Sequence, residues 1–294
     1  MSKNLTAKAS LIASMFIFGS IGIFVNFIGL PSGFIAFLRG IIGAACLMIF
    51  SLITRTEISF KSIKKNLAFL ALSGVAIGFN WILLFEAYRY TSVATATLCY
   101  YMAPVFVMLV SPLILGERLT TLKLCCIVLS LIGMFFVSGV MGGQMPRGRE
   151  LIGIISGLSA AVLYATVIIL NKKLKDISSH NTTLVQLGVA GLVIMPYTLL
   201  AEELTSDLFS PLSVCLLVCV GVIHTGVAYL LYFAAIKGVS AQTVAIFSYI
   251  DPAVAIVLSA LILGQKMDVL SSIGAILILS SAIISEIKNK QSQF

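Results

Sequence analysis

Stretches of about twenty mostly apolar residues recur along the whole chain and are separated by short connections. A membrane-crossing helix needs about 20 such residues, so each stretch is long enough to span a bilayer. The connections are too short to fold a separate catalytic domain. The predicted spans lie at about residues 9–28, 34–53, 66–86, 93–114, 121–140, 151–170, 182–201, 212–233, 242–263 and 269–286.

The composition points to the same class of protein. Of the 294 residues, 60% are hydrophobic and only 10% are charged, and the mean hydropathy is +1.11. Soluble domains carry about 25% charged residues, more than twice this fraction. A soluble enzyme, a secreted disulfide scaffold and a disordered chain are therefore excluded.

The basic residues indicate membrane topology. The net charge is +8, but the 19 Lys and Arg residues are scattered over short connections and form no nucleic-acid-binding face. Cytoplasmic connections carry the excess of Lys and Arg. With Lys237 counted outside and Arg39 left out because it lies within a span, 14 lie on the side of the termini and 4 on the opposite side. We expect a plasma-membrane protein with both termini in the cytoplasm and no nucleic-acid partner.

The sequence contains no pattern that predicts an enzyme. The six cysteines lie in or beside apolar stretches, and the only histidines are His180 and His224. His224 is better explained by hydrogen-bonded packing than by a proton relay. HExxH, GxSxG and the phosphate-binding loop are absent from the sequence. We therefore expect no catalytic residue, no metal, no cofactor and no direct use of ATP.

The chain matches itself at an offset of 148 residues without a gap. The segment that starts at Phe85 aligns with the one that starts at Phe233, and Pro104 aligns with Pro252. Each repeat then holds five spans, and an odd number predicts inverted repeats with a site near the bilayer midplane. The predicted fold is an all-α membrane protein of ten transmembrane helices in two inverted five-helix repeats, residues 8–140 and 151–286.

The repeated motifs resemble the EamA family of the drug/metabolite transporter superfamily. They are YTSVATATL, LILGER after a proline-containing span, and the second DP followed by LILGQK. The resemblance covers about residues 8–286. It implies a ten-helix transporter that exports amino acids, other metabolites or drug-like compounds, with site positions in the third, fourth and sixth spans. The second GER is replaced by 264–266 GQK, so only Glu117 retains the carboxylate.

Prolines are expected to break two spans near their midpoints. Pro104 lies about eleven residues into the fourth span and Pro252 about ten into the ninth. Each proline lacks an N–H and frees the carbonyl four residues earlier, at Tyr100 and Ser248. The freed carbonyls either line a polar cavity or accompany a kink that serves only packing.

Aromatic and amide side chains at similar depth predict a substrate-binding cavity. Such walls stack on apolar or planar groups and hydrogen-bond polar ones. Ordinary helix packing is the alternative for the aromatic residues, and Asn80 serves equally well to link helices. The predicted binding residues are Asn80, Trp81, Tyr100, Tyr101, Tyr164, Tyr229 and Tyr249.

Two charged side chains within spans have several alternative roles. Arg39 is expected either to pair with Glu86 or to act as a gate or a contact for a substrate carboxylate. Asp251 is the only carboxylate near the middle of a span, where an ionised group costs about 2.5 to 3.5 kcal/mol. It is expected to couple transport to protons, to form a fixed hydrogen bond, or to contact a substrate ammonium.

Together these features favour a secondary transporter that exports a small organic solute by alternating access. A membrane-embedded enzyme and a non-transporting receptor are the alternatives. The expected partners are a small-molecule solute and the lipid bilayer, with proton coupling and the oligomeric state left open. The GxxxG pairs Gly74/Gly78 and Gly153/Gly157 serve either packing within the bundle or dimerisation.

Overall fold

The computed structural model describes residues 2–91, 96, 99–137, 148–201, 210–262 and 269–287. Helices account for almost all of these residues, and no strand occurs among them. The helices are α1 Ser2–Asn26, α2 Ser32–Thr54, α3 Phe60–Tyr90, α4 Ala103–Leu115, α5 Thr121–Val137, α6 Arg149–Lys173, α7 Ser179–Ala201, α8 Pro211–Gly238, α9 Ala241–Phe247, α10 Ile250–Ile262 and α11 Val269–Ile287.

Six helices in the described part are long and apolar enough to cross a membrane. The six spans are Asn4–Val25, Gly33–Thr54, Phe60–Ala87, Arg149–Lys173, Ser179–Leu200 and Pro211–Gly238. Helices α4 and α5 and the centre of α11 are apolar but shorter. The all-α membrane fold is therefore confirmed. The total of ten spans stays a prediction, because the fourth, fifth, ninth and tenth predicted spans include or adjoin residues outside the described ranges.

Helices of the two predicted repeats pack against each other across the bundle. Helix α3 packs on α6 and α7, α1 packs on α8 and α10, and α5 packs on α11. A Cβ on Gly74 would lie 2.6 Å from Cβ of Val189, and one on Gly78 would lie 3.0 Å from Cβ of Val193. Only glycine allows α3 and α7 to approach this closely, so packing within the chain explains this GxxxG pair.

The same explanation holds for the second glycine pair. A Cβ on Gly153 would lie 2.7 Å from Cγ2 of Thr91, and one on Gly157 would lie 2.9 Å from Cβ of Cys99. Helix α6 therefore approaches the segment between α3 and α4 through these two glycines. The prediction of packing within the bundle is confirmed for both pairs.

Both predicted breaks coincide with the starts of new helices. Helix α4 begins at Ala103, and α9 ends at Phe247 before α10 begins at Ile250. Pro104 and Pro252 thus lie in first helical turns, where a missing N–H costs little. The backbone turns just before each proline, so the ninth predicted span is two helices rather than one kinked helix.

A π-helical turn interrupts α8 and was not predicted from the sequence. It covers Val220–Val227, and the Thr225 hydroxyl donates to the Val220 carbonyl at 3.0 Å. His224 lies in this turn, with Nε2 3.0 Å from Oγ of Ser20 and its ring 4.5 Å from that of Phe24. These contacts support the packing interpretation of His224.

Several lysines lie together at one end of the bundle. Lys65 and Asp176 form an exposed ion pair at 2.6 Å, and the hydrogen bond from Lys65 lowers the pKa of Asp176. Lys237 donates to the carbonyl of Ile177, in the same α6–α7 connection. Lys237 therefore lies at the end that carries Lys175, and its assignment to the opposite side is wrong.

Candidate functional site

Seven aromatic side chains converge where the two predicted repeats meet. Helices α1, α3, α6 and α8 and the segment before α4 contribute them. Trp81 and Tyr232 are buried, and Phe18, Tyr164 and Tyr229 are partly buried and pack against the same core. This central cluster consists of Phe18, Trp81, Tyr100, Tyr101, Tyr164, Tyr229 and Tyr232.

The rings of α1, α3 and α8 form one wall of the central cluster. The ring centroid of Tyr229 lies 6.0 Å from that of Trp81 and 5.1 Å from that of Phe18, both in edge-to-face geometry. Edge-to-face pairs are a favoured arrangement of aromatic rings. Since Tyr229 and Trp81 occupy equivalent positions of the sequence repeat, this wall joins the two halves.

The tyrosines of α6 and of the α4 break form the opposite wall. Tyr164 stacks on Tyr232 at 6.4 Å, and their hydroxyl oxygens are 2.9 Å apart. Tyr164 also lies 3.2 Å from Oγ of Ser248, at the α9–α10 break. Tyr100 lies 5.8 Å from Tyr164 and 5.5 Å from Tyr101 between ring centroids. The cluster therefore presents both aromatic faces and phenol hydroxyls.

Arg39 places a positive charge against this aromatic wall. Its guanidinium carbon lies 3.9 Å from the centroid of the Trp81 ring, within the range of a cation–π interaction. The Tyr229 side chain lies close to it. Its buried Nε has no hydrogen-bond partner, so the guanidinium keeps a donor for a further acceptor.

Glu86 pairs with Arg89 rather than with Arg39, so the structure does not contain the ion pair that was one of the two alternatives for Arg39. Its Oε1 accepts a hydrogen bond from Nη1 of Arg89 at 2.9 Å and one from the Tyr197 hydroxyl at 2.5 Å. Arg89 follows Glu86 by three residues on the same helix face and therefore reaches the carboxylate first. This hydrogen bond raises the pKa of Arg89. Arg39 remains available for another anionic partner.

Asp251 places a carboxyl group at the α9–α10 break. It lies in the first turn of α10, where the helix dipole favours an anion, and the Tyr101 phenol donates to it. Tyr100 and Tyr229 are close enough to interact electrostatically with both Asp251 and Arg39. The central cluster therefore has a guanidinium and a carboxyl group with tyrosines near both.

Two predicted binding residues form hydrogen bonds within the bundle. Nδ2 of Asn80 donates to the Ala160 carbonyl at 2.6 Å and links α3 to α6. Tyr249 is fully buried, and its hydroxyl donates to the backbone carbonyl of Tyr101 at 3.0 Å. Asn80 also contacts the phenol of Tyr100.

Three contributors were not among the predicted binding residues. Tyr232 follows Tyr229 by three residues, which is the spacing of one helix face and could have identified it. Ser248 was singled out only for its carbonyl, yet its hydroxyl reaches Tyr164. Phe18 gave no signal beyond being apolar. Among the described residues, no three His, Cys, Asp or Glu side chains come together as metal ligands.

One end of the bundle is closed by contacts between the two halves. The Glu117 carboxylate accepts hydrogen bonds from the backbone N–H groups of Ala241 at 2.7 Å and Gln242 at 3.2 Å. Nζ of Lys123 donates to Oε1 of Gln242 at 2.9 Å. The α4–α5 connection therefore caps the start of α9, a contact that we call the Glu117 latch.

Known proteins resemble the chain over nearly its whole length. The EamA-like transporter family matches residues 6–139 and 151–286. An uncharacterized transporter of Bacillus subtilis is 30% identical, with 97% of this chain and 91% of that protein aligned. An uncharacterized transporter of Archaeoglobus fulgidus is 28% identical over 95% of each chain, and the protein RarD of Escherichia coli is 24% identical over 69% of this chain and 66% of its own.

A solved crystal structure has the same fold. It covers 100% of this chain and 99% of its own length, with a TM-score of 0.85 and 15% sequence identity. At this identity the likeness concerns the fold alone. The family resemblance inferred from the repeated motifs is confirmed, and the chain is an integral membrane protein of a transporter family.

Proposed function

Because the chain belongs to the EamA-like transporter family, we propose that it is a secondary transporter that exports a small organic solute by alternating access. The observation that carries this proposal is the central cluster, in which both halves of the chain contribute rings and opposite charges. In transporters built from inverted repeats, the substrate site lies between the halves. The proposed site is therefore the central cluster itself.

The charges of the site support a dipolar solute. Arg39 offers a donor to a carboxylate or similar anion, and Asp251 offers an acceptor to an ammonium group. Neither residue forms an ion pair with another described side chain, so a solute that carries both charges would compensate both. The surrounding rings favour an apolar or aromatic body between them. A zwitterionic amino acid or a related metabolite has this chemistry.

Asp251 also supports coupling of export to proton entry. A carboxylate in a membrane-spanning helix is costly unless it is compensated, and both a proton and a solute ammonium compensate it. If the two compete for Asp251, release of the solute leaves the carboxylate ready to take a proton. The proton then leaves on the other side when the next solute binds. This cycle exchanges solute for protons without ATP.

The Glu117 latch supports a state that is closed at one end. Its hydrogen bonds join connections from the two halves, and Lys172 donates to the Val239 carbonyl at the same end. Both termini are proposed to lie on the cytoplasmic side, which would make this the cytoplasmic end. Opening would require Glu117 to release the two backbone N–H groups of α9.

Binding and exchange assays test the proposed function. A thermal-shift screen of amino acids, organic cations and organic anions on the purified chain identifies solutes that stabilise it. The labelled solute is then assayed for counterflow in liposomes, and we expect accumulation driven by unlabelled solute inside. Stabilisation without counterflow would contradict transport and favour a non-transporting receptor, whereas conversion of the solute into a product would favour an enzyme.

A further inference from the structure

A cleft lies between α3, α4 and α6, apart from the central cluster. Its volume is about 300 Å³, and none of its lining residues belongs to the central cluster. Phe69 of α3, Phe106 and Val110 of α4, and Ile169 of α6 form its apolar walls. Val162 lies on its rim and is 46% exposed, so the cleft opens on the outer surface of the bundle.

The surroundings of this cleft are hydrocarbon rather than water. Two of its three helices, α3 and α6, are long and apolar enough to span a membrane. A surface cleft within the spans therefore faces lipid chains. An α-helix is about 10 Å across and too wide to enter a space of this volume, whereas an extended acyl chain fits. The shape favours a lipid over a helix from a second copy.

A basic residue lies at one end of the cleft. Lys173 ends α6 and lines the cleft with its otherwise apolar neighbours. Lys175 lies at the same end of the bundle but outside the lining of the cleft. Basic pockets between transmembrane helices bind anionic lipid headgroups, and each Lys near the membrane surface contributes about 1 kcal/mol. A headgroup phosphate would pair with the charge of Lys173, and the acyl chain of the same lipid would contact the apolar walls.

We propose that this cleft binds one anionic phospholipid, with an acyl chain between α3, α4 and α6 and its headgroup phosphate at Lys173. The lipid would brace the helices that carry Trp81 and Tyr164 from their outer side. The proposal does not depend on the identity of the transported solute, because no residue is shared between the two sites.

Native mass spectrometry of the purified full chain tests this site. The protein is mixed with phosphatidylglycerol or phosphatidylcholine of equal chain length, and we expect one lipid to be retained with preference for phosphatidylglycerol. Lys173→Gln should reduce that preference about fivefold, the equivalent of one basic contact. Lys175→Gln makes the same charge change on an exposed residue outside the cleft and should leave it unchanged.

A variant on the rim tests the apolar part of the site. Val162→Phe adds a ring to the mouth of the cleft on an exposed residue, and it should abolish retention of both lipids. Equal retention of the two lipids by the unmodified chain would overturn the proposal, as would equal effects of Lys173→Gln and Lys175→Gln. Unchanged retention in Val162→Phe, or a dimer that excludes lipid from the cleft, would also overturn it.

Discussion

Arg39 and Asp251 lie where ionised side chains are costly unless something compensates them. Arg39 rests on the Trp81 ring and still has an unused buried donor, and Asp251 accepts from Tyr101 at the start of α10. A cation–π contact and a phenol offset only part of the cost of an uncompensated charge. At the scale of single residues, these incompletely compensated charges are the main indication of a binding site.

Arg39→Gln should lower the affinity for carboxylate-bearing solutes by about tenfold or more. A hydrogen bond to a charged group contributes about 1.5 to 3 kcal/mol, and Gln cannot supply the charge. Thermal-shift titration measures the affinity. Arg89→Gln removes the same charge from the surface pair with Glu86 and should leave it unchanged. Equal affinities in Arg39→Gln and the unmodified chain would reduce Arg39 to a packing role.

Asp251→Asn should remove the response of transport to a pH gradient. The amide cannot take up a proton and binds an ammonium more weakly, so we expect reduced affinity but persistent exchange at saturating solute. Liposomes with and without an imposed gradient measure the difference. If the unmodified protein ignores the gradient, the coupling hypothesis fails and Asp251 has only a binding or structural role.

At the scale of elements, the breaks before α4 and α10 bring the binding groups together. Tyr100 and Tyr101 precede α4, while Ser248 and Asp251 flank the α9–α10 break. The closed end depends on a third element contact, the Glu117 latch. It satisfies two N–H groups at the start of α9, and the Ser240 hydroxyl accepts the N–H of Thr243 at 3.1 Å.

Glu117→Ala should expose the first two amides of α9. Loss of charge-assisted hydrogen bonds worth about 1.5 to 3 kcal/mol predicts at least about tenfold faster hydrogen exchange at Ala241 and Gln242. The Thr243 amide, capped by Ser240, serves as an internal reference. Glu57→Ala removes a carboxylate from the α2–α3 connection and should change neither amide. Unchanged exchange in Glu117→Ala would mean that the latch is not closed in the membrane.

Gly74→Val should destabilise the packing of α3 on α7. The added Cβ would meet Cβ of Val189 at 2.6 Å, and overpacking of this kind costs about 1 to 3 kcal/mol. Gly22→Val makes the same change in α1, where a Cβ meets nothing within 4 Å. Thermal unfolding in detergent compares the two. A similar loss of thermal stability in both variants would mean that the change in helix propensity, rather than the close approach of α3 and α7, causes the destabilisation.

The sequence could predict the membrane fold and many members of the central cluster, because apolar length, a repeat at fixed offset and deep aromatic residues are visible in one dimension. It could not decide between tertiary partners. Asn80 was equally suited to a solute and to a helix contact, and its hydrogen bond to the Ala160 carbonyl could not be read from the sequence. The partner of Glu86 was predictable in principle, since Arg89 lies three residues away. The π turn of α8 gave no comparable signal.

At the scale of the whole molecule, the two matched halves of the chain surround one site. Rings from both halves meet at Tyr229 and Trp81, Arg39 comes from the first half and Asp251 from the second. A movement of one half against the other would therefore change which side reaches the solute, as alternating access requires. The central claim is that the solute bound there carries an anion and a cation on an apolar body.

Counterflow with three matched probes tests this claim most directly. Phenylalanine carries both charges, 2-phenylethylamine lacks the carboxylate, and 3-phenylpropionate lacks the ammonium. Liposomes are loaded with a zwitterion that stabilises the protein, and each unlabelled probe competes with uptake of the labelled zwitterion. We expect phenylalanine to compete at least about tenfold better than either analogue, because each of its charges compensates one side chain of the site. Equal competition by all three probes, or stronger competition by a singly charged one, would contradict it.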